Sequence, residues 1–86
     1  MSEQKENKLT PKMVYALALL KKGYEKEGQP QIPQKVFANN TNECKDNGII
    51  GANSLIALWA TFPNKNLATK QKITYNEKIV TAYIPL

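Results

Sequence analysis

The apolar residues of this chain change their spacing once, and that change sets the fold class. In the first part they recur at helical intervals. Met13, Leu17, Leu20 and Tyr24 form one stripe, and Leu55, Leu58, Trp59 and Phe62 fall at i, i+3, i+4 and i+7. From Leu67 onward two runs rich in β-branched and aromatic residues, Leu67 to Thr74 and Ile79 to Leu86, flank the turn-forming Tyr75-Asn76-Glu77-Lys78. Helices first and a strand pair last predict an α+β domain: about three helices followed by a C-terminal β-hairpin.

Local signals place the boundaries. Thr10 can cap the free N–H groups of a helix that Pro11 opens, and Gly28 and Pro30 stop it, so the first helix runs from Pro11 to about Lys26. Ile32 to Ala38 reads as a short helix entered through Pro33, and Asn39 to Gly48 as helix end or polar loop. Asn53-Ser54 can cap the next helix, Leu55 to Phe62, which Pro63-Asn64 ends. With Thr74 opposite Ile79, the hairpin sorts into two faces. Leu67, Ile73, Val80, Ala82, Ile84 and Leu86 form the expected core face, and Lys70, Lys72, Thr81 and Tyr83 the expected outer, basic face.

Residues 1–8 hold no apolar side chain after Met1 and predict a disordered tail, leaving residues 9–86 as one domain. The full 86 residues support one modest core. The longest apolar run, within Met13 to Leu20, is far short of the roughly 20 residues of a membrane span, so no membrane partner is expected. The polar start does not resemble a secretory signal, and the single Cys44 excludes an internal disulfide; both point to the cytoplasm.

The net charge is +5, and all 12 basic residues are lysines. This balance favours a polyanionic partner, although lysines also serve solubility. Arginine reads guanine in bidentate fashion, whereas lysine serves phosphates as a point charge. Any DNA contact should therefore be backbone-dominated or directed to A·T-rich shape. Catalysis is not expected. There is no histidine, the seven acids are scattered, no glycine-rich phosphate loop occurs, and Cys44 sits in a polar stretch without a base. The same inventory implies no cofactor and no metal site.

The order helix, short helix, turn, helix, hairpin resembles the winged-helix superfamily. Leu55-Ile56-Ala57-Leu58-Trp59-Ala60-Thr61-Phe62-Pro63-Asn64-Lys65-Asn66-Leu67 is similar to a recognition helix running into the first wing strand, and Ile84-Pro85-Leu86 ends the returning strand. The resemblance covers Leu9 to Leu86 and is one of pattern, without a diagnostic motif. It implies a small DNA-binding protein, a transcriptional regulator. Asn53, Ser54, Ala57 and Thr61 would lie at the bases, with Lys65, Lys70, Lys72, Lys78 and Tyr83 on the wing. The pattern departs from the superfamily at one point: no charge occurs from Gly48 to Asn64. The alternative is therefore a protein-interaction module, an adaptor or inhibitor. Trp59 and Phe62 belong by default to the core. The broad apolar arc of the first helix, including Val14, Tyr15, Ala18 and Leu19, suggests a homodimer through that helix.

Overall fold

The computed structural model describes residues 9–86, so the tail expected for residues 1–8 lies outside the described residues. The chain is an α+β domain. Helices α1 (Pro11–Glu27), α2 (Pro33–Asn39), α3 (Thr41–Asp46) and α4 (Ala52–Thr61) precede a 3-10 turn (Pro63–Lys65) and strands β1 (Ala68–Tyr75) and β2 (Lys78–Pro85). The start of α1 is as the sequence predicts. Pro11 opens the helix, and the Met13 N–H donates to the Thr10 hydroxyl at 3.2 Å. Gly28 ends it in the left-handed conformation at φ 70°, where a side chain would be strained.

The core lies between α1 and α4. Leu20, Ile49, Leu55, Trp59 and Phe62 are fully buried. Burial of Trp59 obliges its indole N–H to find an acceptor, and it donates to the Ala16 carbonyl of α1 at 3.0 Å. The Trp59 ring meets Tyr83 of β2 edge-on, with centroids 5.7 Å apart and planes at 73°. One tryptophan thus fastens α4 to both α1 and the hairpin.

The hairpin has the predicted register, with Thr74 opposite Ile79 and the whole ladder antiparallel. Its faces depart from those expected at Tyr83: Ala82 on the expected core face is fully buried and Lys70 and Lys72 are exposed, but Tyr83, expected on the outer face, is in the core. Directly opposite residues share a face, so Tyr83 goes with Lys70, Thr81 with Lys72 and Ile79 with Thr74. Tyr83 is only 4% exposed and sits in the core with Ala68. The face bearing Lys70 and Lys72 therefore includes Tyr83, which meets Trp59 of α4, while β2 as a whole packs on α1. The aliphatic face of Ile73 and Val80 looks the other way.

That second face is covered as well. Gln31 pairs with Tyr83 in a short antiparallel bridge, its N–H donating to the Tyr83 carbonyl and its carbonyl accepting from the Tyr83 N–H, both at 2.8 Å. The next residues carry the chain into α2, and Ile32, Lys35, Ile73 and Tyr75 line one small cleft of about 150 Å³. The Lys35 ammonium stands 5.9 Å from the Tyr75 ring centroid. On the core side the buried Gln31 side chain lies against Gly23 of α1; a Cβ at Gly23 would overlap its amide oxygen.

Two further expectations are corrected. Asn53-Ser54 does not cap α4. The helix opens earlier, at Ala52, with Gly51 at the cap position and no side-chain cap bond. Ile49, fully buried just ahead, anchors the turn and starts the helix sooner. Cys44 is not in a polar loop; it is the buried residue of α3 and part of the core. The apolar arc of α1 is largely used within the chain. Leu19 is buried and Tyr15 half-buried, while Val14 (53% exposed) and Ala18 remain on the surface.

Candidate nucleic-acid interface

Helix α4 buries Leu55 and Trp59 and so turns the intervening positions outward. Asn53, Ser54, Ala57, Ala60 and Thr61 are all exposed. Because the cap lies at Gly51, Asn53 and Ser54 occupy the first turn with no capping bond to make. The Thr61 hydroxyl donates to the Leu58 carbonyl at 2.7 Å, which leaves it only acceptor capacity toward a partner. The stripe is small, neutral and weakly polar.

The hairpin is anchored to the opposite, buried side of α4. Tyr83 fixes its base on Trp59, and Lys70 stands directly opposite Tyr83 in the ladder. Lys72 follows two residues toward the turn. Both lysines are exposed. They lie on the same ribbon face as Tyr83. Lys65 is half-buried in the 3-10 turn that links α4 to β1. Lys78 is exposed but lies opposite Tyr75, on the other face of the ribbon.

Of the nine residues the sequence singles out, Asn53, Ser54, Ala57 and Thr61 are exposed on α4, and Lys70 and Lys72 are exposed on one face of the ribbon. Lys65 sits at the junction. Lys78 is separated from them by the ribbon itself. Tyr83 is withdrawn from the surface: at 4% exposure its ring cannot stack on a base, because it packs on Trp59. Sequence reasoning missed Gln31, whose pairing with Tyr83 holds the ribbon in place. The signal was present, since Gln29 and Ile32 each precede a proline and are biased toward extended backbone.

Burial pushes the Tyr83 phenol above its ordinary range. Tyr15 is raised by burial and by its hydrogen bonds to Cys44 (3.9 Å to sulfur) and Glu43 (3.0 Å). The Cys44 thiol is also pushed up, by burial, against the opposing effect of the Tyr15 hydroxyl. Tyr15 and Cys44 tie α1 to α3 in their neutral forms, and a thiol held protonated in the core is a poor nucleophile.

No helix among the described residues is long and apolar enough to cross a membrane. Comparison with protein-family models, curated proteins and solved structures finds no match for this chain.

Proposed function

We propose that this domain binds duplex DNA in the manner of a winged helix, as a small cytoplasmic regulator. Helix α4 faces the bases and the hairpin serves as the wing. One observation carries the reading: Lys70 and Lys72 are both exposed on one face of a hairpin that Tyr83 anchors to Trp59 of α4. On that face the lysines neutralise phosphates and set the register of docking. The uncharged α4 stripe then approaches the major groove. Asn53 can accept from and donate to adenine, and the methyl-bearing Ala57 and Thr61 suit thymine methyl groups. With no arginine on the chain, docking is backbone-dominated and tolerant of A·T-rich sequence.

Fluorescence anisotropy with labelled A·T-rich and G·C-rich duplexes, titrated from low to physiological salt, tests this. Two or three lysine–phosphate contacts, from Lys70, Lys72 and Lys65, give a log–log salt slope of about −2 to −3. Binding should survive at physiological salt. Its disappearance on modest salt addition would leave the lysines a solubility device.

A second reading, a protein-interaction module, is favoured by one feature. The α4 region carries no charge from Gly48 to Asn64, and Ile50 just before it is 66% exposed. Failure of duplex binding would transfer the surface to this role.

A further inference from the structure

Among the described residues, the outer edge of β1 has no strand beside it. On the far side of the ribbon the edge of β2 is used within the chain: the N–H and carbonyl of Tyr83 both bond to Gln31 at 2.8 Å. Tyr83 therefore points its backbone away from Lys70, its partner in β1, and Lys70 points its own N–H and carbonyl away from β2. The alternation repeats at every second residue. Ala68, Lys70, Lys72 and Thr74 thus present a row of outward donors and acceptors. The main neighbours of β1 are β2 and the 3-10 turn before it, and Thr69 to Lys72 are all exposed.

Such an edge is a template for another strand. β1 is eight residues long, holds no proline, and pairs with β2 in unbroken register without a bulge. Of the usual guards of an exposed edge it has lysines alone. Those lysines count against a second copy of this chain. When two β1 edges are paired antiparallel, every register that matches three or more of the outward residues sets Lys70 or Lys72 directly opposite a lysine of the other copy. Like charges so placed are destabilising.

The charge fits a different strand. Residues 65 to 78 carry Lys65, Lys70, Lys72 and Lys78 against the single acid Glu77. We infer that the edge of β1 takes up an extended acidic segment of a partner protein by antiparallel strand addition, with carboxylates on alternate residues opposite Lys70 and Lys72. Side chains directly opposite one another share a face with Cβ atoms about 5 Å apart, within reach of lysine–carboxylate pairing. The residues between the acids fall on the other face, beside Gln71 and Ile73, where β-branched side chains suit a strand. Main-chain bonds supply affinity and the alternating acids supply the register. The inference goes beyond the DNA-binding reading and needs only the free edge. Carboxylates on Lys70 and Lys72 would withdraw both from phosphate, so the acidic strand and a duplex exclude one another.

The experiment uses the full chain without DNA and a short, labelled, end-capped peptide alternating glutamate with threonine, followed by fluorescence anisotropy. In the inferred register the N–H of each glutamate opposite Lys70 and Lys72 points at β1. N-methylation of the glutamates keeps the charge and should weaken binding about tenfold or more. N-methylation of the threonines, whose N–H groups point away, should change it little. The amide protons of Lys70, Lys72 and Thr74 should gain protection from hydrogen exchange when the parent peptide binds. Lys70→Gln/Lys72→Gln should lose affinity for that peptide with its urea midpoint unchanged. Absent binding of the parent peptide, equal binding of the glutamate-methylated form, or equal binding of a peptide with lysine in place of glutamate overturns the inference and leaves the DNA reading untouched. Strand addition by a protein that binds no duplex would uphold the inference and end the DNA reading.

Discussion

The base and the tip of the hairpin belong to one continuous ladder but behave as different objects. At the base, Ala68, Ala82 and Tyr83 are buried, Gln31 adds a third strand position, and Trp59 closes over the Tyr83 ring. Toward the tip, Lys72, Lys78 and Ile79 are exposed. The same alternation of side chains therefore does two things along a single ribbon face. Level with α4 it delivers an aromatic anchor on β2 and the exposed Lys70 on β1; farther out it delivers Lys72 and Ile79. A rigid base aims a free tip, which is how a small domain with a modest core can hold a charged arm in a fixed direction.

Breaking the base should cost the most. Tyr83→Ala removes the Trp59 contact and leaves a cavity against α1 and α4. Stability should fall by about 3 kcal/mol, measured by urea unfolding, and a loss below about 1 kcal/mol would mean that the hairpin is not anchored there. Gly23→Ala comes next. Its methyl overlaps the Gln31 amide, so despite the better helix propensity of alanine the variant should lose about 1–2 kcal/mol. A gain in melting temperature would show that Gln31 moves aside freely.

Alkaline titration is a gentler probe of the same region. Tyr83 and Tyr15 have phenol pKa values raised in the folded state, so folding favours their neutral forms. The resulting stabilisation is complete below the ordinary tyrosine value of about 10 and is lost as pH rises through the folded-state values. Urea midpoints should therefore hold up to about pH 10 and decline above it, and Tyr83→Phe should soften that decline. The smallest effect belongs to the tip. Glu77 adopts φ 64°, a conformation costly for a side chain, so Glu77→Gly should stabilise the hairpin by about 0.5–1 kcal/mol. An unchanged midpoint would mean that the turn bears no strain.

How much of this was legible in the sequence varies by element. The first helix was, because Thr10-Pro11 and Gly28 act within a few residues of themselves. The hairpin register was as well, since the turn fixes it. The faces of the ribbon were not. Ile73, Val80 and Ile84 mark an apolar face, but the segment at Ile32 covers that face locally while the main core lies on the other side, reached by Tyr83 and Ala68. When both faces have a partner, alternation alone cannot say which one meets the helices. Cys44 was misread for a related reason. In Asn39 to Gly48 it is the lone apolar residue between polar neighbours, and its burial depends on α1 passing overhead with Tyr15. Of the candidate residues, the α4 positions and Lys70 and Lys72 are exposed as their pattern requires, whereas Tyr83 lies in the core.

The most direct test of the hairpin's part in DNA binding is anisotropy titration of Lys70→Glu/Lys72→Glu against wild type on the A·T-rich duplex across a salt series. Both positions are exposed, so the variant should unfold with an unchanged midpoint. The account predicts that its binding at physiological salt is abolished. Wild-type affinity and slope in the folded double variant would contradict it and remove the hairpin from the interface.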